Sequence, residues 1–256
     1  MKPLPELAPI RWLALVTGAL TVHGQMAWDV GGMGGAATSV FAFPVNQAIP
    51  DGDLSGLANT QTLPASSAPI RSVAVTLVLT PLGEGGFTGD LYATLAHDGG
   101  GYSVLLNRPG KHPGRPFGYS DDVAVNVTLA DDAEADIHHY RLTLTGSEVL
   151  PLTSALTGRW QPDGRPVDPL LVTASDLRDA TLASFTGVNQ AGNWTLFVAD
   201  VSGGGEYQLD SWSLAVTVIP EPGGVLGALA LGALGWVMLQ RRRERRRPPL
   251  RAPTPR

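Results

Sequence analysis

The chain has 256 residues, enough for one large domain or two small ones, and contains no cysteine, which excludes disulfide staples, thiol catalysis and cysteine-ligated metals. Its formal charge of −5 hides an uneven distribution. Eight of the eighteen Lys and Arg fall in the last sixteen positions, whereas Trp28–Ile219 carries eight basic against twenty acidic residues, a net of −12.

So acidic a segment is held by neither nucleic acid nor anionic lipid, and divalent cations are its more natural partners. Gly (31) and Pro (21) are abundant, but they fall between alternating apolar runs, as in a loop-rich all-β protein. A domain of this size buries enough core to stand outside the cell without disulfides.

Residues 1–27 have the layout of a secretory signal peptide. Lys2 and Arg11 supply a positive start, and Trp12–Val22 is a short apolar run. Val22-His23-Gly24 offers a cleavage position, with Ala27 as a second. Pro3, Pro5 and Pro9 argue against a structured helix there. Residues 28–69 read as a Gly/Ala/Pro-rich extension. Gly31-Gly32-Met33-Gly34-Gly35 holds regular structure only at high entropic cost. Phe41, Phe43 and Val45 alternate and predict one edge strand, followed by turn chemistry at Ile49-Pro50-Asp51-Gly52.

Residues 70–218 read as the β domain. Val73, Val75, Leu77 and Leu79 alternate with smaller or polar residues in a β-branched run. Asp90–Leu95 and Tyr102–Asn107 predict a hairpin joined at His97-Asp98-Gly99-Gly100-Gly101. Val123–Leu129 and His138–Thr145 read as further strands. Residues 146–180 read as mostly loop, with one short helical turn within Ser175–Leu182. Trp194–Ala199 and Leu209–Val218 close the domain. Many short strands with Gly/Pro punctuation predict an all-β sandwich or jelly roll. Period two places Trp194, Leu196 and Val198 on one face, and Trp212, Leu214 and Val216 on one face of the last strand. The two tryptophans are expected on paired strands of the core.

Several of these residues form a recognisable series. Phe185-Thr186-Gly187, Gly192-Asn193-Trp194-Thr195-Leu196, Asp200, Gly205, Leu209 and Ser211-Trp212-Ser213-Leu214 follow in order, and Gly89-Asp90-Leu91 and Leu105-Leu106 lie upstream. Over about residues 70–217 the chain resembles the P domain of proprotein convertases, with Trp194, Leu196, Trp212 and Leu214 as the core motif. That resemblance implies a jelly-roll β-sandwich that stabilises or binds and is not itself catalytic. The chain has no Gly-x-Ser-x-Gly, and its one His-Gly is His23-Gly24 in the signal segment, so convertase activity does not carry over.

The candidate chemistry upstream of the C-terminus is sparse. Asp121, Asp122, Asp131 and Asp132, with Glu134 and Asp136 nearby, flank one predicted strand and fit either oxygen ligands for calcium or a solvated acidic loop. Asp90 and Asp200 are expected in turn or cap hydrogen bonds. His138 and His139, adjacent on a predicted strand, point to opposite faces and are expected at the surface rather than on one zinc ion. His97-Asp98 sits at a Gly-rich hairpin tip, a poor scaffold for a catalytic triad. Asn126-Val127-Thr128 and Asn193-Trp194-Thr195 match the glycosylation sequon, but inside strands they read as incidental.

The end of the chain is the most specific stretch. Pro220-Glu221-Pro222 precedes eighteen uncharged, mostly apolar residues, Gly223–Gln240, and then Arg241, Arg242, Arg243, Arg245, Arg246 and Arg247; residues 248–256 read as a disordered tail. The apolar run is just long enough for a single transmembrane helix, with the arginines cytoplasmic. Tripeptide, span and arginine cluster in this order resemble the PEP-CTERM sorting signal of bacterial exosortase substrates, so 219–247 is expected to be recognised and cut by an exosortase. The expectation is an exported, non-catalytic surface or matrix protein without a certain cofactor, with an extracellular polysaccharide as a candidate ligand. The alternatives are a permanently anchored, calcium-dependent adhesion or carbohydrate-binding module, or a hydrolase with an unrecognised site.

Overall fold

The computed structural model describes residues 36–219 apart from Ser67 and Glu84. The expected signal segment 1–27, the sorting motif Pro220-Glu221-Pro222, the apolar run 223–240, the Arg241–Arg247 cluster and the tail 248–256 lie outside the described residues. Among the described residues, no helix is long and apolar enough to cross a membrane.

Alternation builds two sheets. In β3 (Ile70–Leu82), Val73, Val75, Leu77 and Leu79 are buried while Thr76 and Val78 between them stay partly exposed. β3 pairs antiparallel with β9 (Glu206–Val218) and with β6 (Val125–Leu129). β1 (Ala37–Ala48) adds to the far edge of β9, and β7 (Leu156–Trp160) lies parallel to β6, giving the order β1-β9-β3-β6-β7. Inward residues meet across this sheet in rows: Phe41, Leu214, Val75, Leu129 and Trp160 form one. The second sheet has the order β2-β8-β4-β5, from β2 (Leu57–Leu63), β8 (Gly192–Asp200), β4 (Leu91–His97) and β5 (Tyr102–Asn107). Buried residues of both sheets join one apolar cluster, the interior of an all-β sandwich.

Trp194 and Trp212 are both buried as expected, but on facing sheets rather than paired strands: β8 and β9 share no ladder. Each removes roughly 200 Å² from water, worth about 5 kcal/mol before the entropic cost of ordering. Trp212 packs on Phe43 with ring centroids 4.5 Å apart and donates from Nε1 to Asn59 Oδ1 on β2 at 2.9 Å, a hydrogen bond that crosses the sandwich. Trp194 packs on Phe185 and His97 and donates to the Gln190 carbonyl.

Three expectations need correction. Among the described residues the sheets begin at Ala37: β1 is the edge strand expected around Phe41–Val45, but it and the unexpected β2 belong to the sandwich rather than to an extension before residue 70. β2 escapes an apolar pattern because Asn59 and Gln61 take inward-side positions between Leu57 and Leu63. The strand expected over His138–Thr145 is instead a 3₁₀ turn, Ile137–His139, running into α1 (Tyr140–Thr145). The Asp136 side chain accepts from the His138 N–H to start it, and Gly146, in the left-handed region at φ 71°, ends it with its N–H on the Leu142 carbonyl. Successive Tyr140 and Arg141 are both buried while Leu142 and Leu144 are exposed, which strand alternation cannot satisfy. Finally, the loop expected over 146–180 contains β7, and the short helical turn falls at Leu182–Phe185, capped by Thr181, instead of within Ser175–Leu182.

Candidate functional site

The acidic residues that the fold brings together are Asp51, Asp90 and Asp200, not the four read as calcium ligands. Asp90 ends a 3₁₀ turn just before β4, and Asp200 is the last residue of β8. The register Leu91↔Asp200, with the Val201 N–H on the Asp90 carbonyl at 2.9 Å, sets them on neighbouring strand ends. Two loops close over this corner. The Asp53 N–H bonds the Asp200 carbonyl at 3.0 Å, and Asp51 Oδ2 accepts from the Gly204 N–H at 3.2 Å.

Arg108, immediately after β5, is the cation of this corner. It is buried, with φ 50°, and its backbone N–H bonds the Leu91 carbonyl. Its guanidinium donates to the Gly89 carbonyl at 3.0 Å, to Asp90 Oδ1 at 2.9 Å and to Ser202 Oγ at 2.8 Å. Burial still pushes the Asp90 carboxyl above its usual range, against the Ser202 hydroxyl and Arg108, which favour its charge. Asp200 is fully buried, and neither of its carboxylate oxygens has a hydrogen-bond partner of good geometry. Burial, then the charge of Asp90, push it up to about 7, with the Ser202 backbone N–H and Arg108 opposing.

Beside this corner lies an open cavity of about 500 Å³ lined by Phe87, Asp90, Phe117, Tyr119, Ser202 and Gly203 among others. Phe117 is 68% exposed and Phe87 37%. The backbone around Phe117 is tied down all the same. Gly118 N–H bonds the Arg115 carbonyl, Tyr119 N–H the Pro109 carbonyl, and Gly89 N–H the Tyr119 carbonyl. Gly118, at φ 73°, approaches so closely that an added Cβ would lie 2.7 Å from the Pro109 oxygen and 2.8 Å from the Gly89 Cα.

The residues read as calcium ligands are placed apart. Asp121-Asp122 and Asp131-Asp132 flank β6, whose five residues span about 17 Å. Asp121 is saturated: Arg141 donates to both oxygens at 2.7 and 2.9 Å, the Leu152 N–H adds 2.7 Å, and the Tyr140 hydroxyl bonds Oδ2. Asp122 accepts from the Gly86 N–H, Asp131 from the Leu182 N–H, and exposed Asp132 pairs with Arg159. Among the described residues, no three His, Asp or Glu side chains are arranged to hold a metal ion. Trp194, Leu196, Trp212 and Leu214 belong to the core and touch no cavity described here.

The histidines also differ from expectation. His138 is buried rather than at the surface. Its Nδ1 meets Asp163 Oδ2 at 2.8 Å and its Nε2 the Lys111 carbonyl at 3.2 Å, and Arg165 holds the other oxygen of Asp163 at 3.1 Å. Half-exposed His139 and His112 instead share Glu148. His97 is fixed by backbone on both sides: Nε2 donates to the Ala191 carbonyl at 3.0 Å and Nδ1 accepts from the Gly99 N–H at 3.2 Å. The Asp90–Arg108–Asp200 corner had one signal in the sequence, Asp90 and Asp200 in the motif segments. Arg108 had none, because its partners lie on the Thr88–Asp90 turn and the Ser202 loop, far from it in sequence.

No family model matches the chain, and no curated protein matches it. A chain in the crystal structure of the Aeromonas sobria serine protease and chaperone complex is similar over 72% of this chain and 27% of its own length, with a TM-score of 0.38 and 18% identity. The present chain thus spans about a quarter of that one, and a likeness of this degree carries no argument about fold or activity.

Proposed function

We propose that the chain is an exported bacterial cell-surface or extracellular-matrix protein whose sandwich, a P-domain-like jelly roll, is a non-catalytic binding or structural unit, and that an exosortase sorts it and cuts at its C-terminal segment. One observation carries the reading. All nine described strands lie between Ala37 and Val218, and β9 ends two residues before Pro220. A cut near Pro220-Glu221-Pro222 therefore removes the apolar run and the arginine cluster without touching a described strand. Intact mass and C-terminal sequencing of the protein from native cells test the proposal. A chain ending near Pro222 is the expected result; one that retains Arg241–Arg247 overturns the processing step.

A second reading, a permanently anchored calcium-dependent adhesion module, is favoured by one feature, the unpartnered buried carboxylate of Asp200 beside Asp90. Calcium takes oxygen ligands from carboxylates, carbonyls and water alike. A rise in melting temperature with millimolar calcium at pH 8, absent in Asp200→Asn, supports it. No rise in the wild type removes it.

A further inference from the structure

The cavity at the Asp90 corner has features that neither core packing nor sorting uses. Phe117 stands exposed on backbone that is fixed on both sides, so its ring is displayed rather than loosely folded out. Phe87 forms a second apolar wall, and the Ser202-Gly203 loop forms a polar one. On the cavity lining, the Asp90 carboxylate takes Arg108 at Oδ1, and a carboxylate has lone pairs for further donors. The volume, about 500 Å³, lies in the range of ordinary ligand sites and well above that of a single water.

We propose that this cavity binds a neutral pyranose unit of an extracellular polysaccharide, which stacks on the Phe117 ring and donates a hydroxyl to Asp90. The proposal rests on the binding reading above and names the ligand class and its site. Sugar rings present a flat C–H face that packs on an aromatic side chain, and their hydroxyls need acceptors held in place. Arg108 balances the charge of Asp90, so the floor is close to neutral and offers hydrogen bonds without demanding a charged ligand. Anionic sugars are disfavoured by Asp51 and Asp200 nearby and by the net charge of −12 on the surrounding segment.

The test uses the full-length chain in a non-glycosidic detergent, with calorimetric titration of neutral β-1,4-glucan, β-1,3-glucan and β-1,4-linked N-acetylglucosamine hexasaccharides, and of a hexagalacturonate as the anionic counterpart. At least one neutral oligosaccharide is expected to bind. Phe117→Ala, at an exposed position that folding does not need, weakens it at least about tenfold, while Leu177→Ala, an exposed apolar residue elsewhere, leaves it unchanged. Binding by none of the neutral sugars overturns the proposal, as does binding that Phe117→Ala leaves intact or a preference for hexagalacturonate. Sugar binding that survives Phe117→Ala sinks this cavity alone and leaves the surface-protein reading in place; the C-terminal sequence from native cells decides that reading separately.

Discussion

Replacing Asp200 by Asn tests the energetics of the buried corner directly. The Asp200 carboxyl is raised from its usual 3.8 to about 7, and a pKa difference of one corresponds to about 1.4 kcal/mol between the protonation states. Below about pH 4 the proton is bound in both the folded and the unfolded chain, and the full contribution of this group is present. Between 4 and 7 the folded state alone keeps it, so stability falls as pH rises; above 7 the folded state carries a buried carboxylate, at a total cost of about 4 kcal/mol. Asn has nearly the same shape and never ionises. At pH 5 the unfolded Asp has ionised while the folded one has not, so Asp200→Asn should already be the more stable by about 1–2 kcal/mol, give or take one exchanged hydrogen bond. At pH 8, with a chelator present, Asp200→Asn should be the more stable by up to about 4 kcal/mol, or about 10 °C in melting temperature for a domain of this length. Thermal melts followed by circular dichroism at both pH values read this out. An equal difference at pH 5 and pH 8, or a variant less stable than the wild type at pH 8, would refute the assignment of the cost to Asp200.

Other substitutions probe the remaining polar devices. Asp121→Ala leaves the buried Arg141 guanidinium without its carboxylate and should cost about 3–5 kcal/mol in urea unfolding, whereas an acidic loop would give almost no change. Asn59→Ala removes the acceptor of the Trp212 indole and should cost about 1–3 kcal/mol by the same measurement, with a shift in tryptophan fluorescence. Gly118→Ala meets both a left-handed φ and a 2.7 Å approach to the Pro109 oxygen; a loss of at least about 1–3 kcal/mol is expected, and a melting temperature equal to wild type would contradict the close packing around Phe117.

Strands with strict alternation were the legible part of the fold. Val73 to Leu79 and Trp194 to Val198 bury their apolar set on one face, and nothing local competes with that. Where polar groups point inward the pattern fails. Asn59 and Gln61 mask β2, although Asn59 is inward because Trp212 needs an acceptor across the sandwich. In α1 the alternation of Tyr140, Leu142 and Leu144 imitates a strand. The Asp136 cap and Gly146 decide for helix, and Arg141 is drawn inward by Asp121, twenty residues earlier. The same long-range pairing hid the acidic corner. Adjacent Asp121-Asp122 and Asp131-Asp132 attract notice in a sequence, but the strand between them keeps the pairs apart. Asp90 and Asp200, more than a hundred residues apart, meet only because β4 and β8 are neighbours.

The position of β9 gives the sandwich a mechanical polarity. Its 13 residues begin just after the Ser202–Gly205 loop at the cavity and end at Val218, two residues before Pro220, a run of about 43 Å. A tether at the C-terminus and a ligand at the cavity would therefore pull at opposite poles of a single strand. β9 is clasped on both sides, by β1 over Ala37–Ala48 and by β3 over Ile70–Leu82. A load along its axis is spread as shear over two ladders of hydrogen bonds at once, so the strand that would lie nearest a C-terminal tether is held on both sides in its sheet.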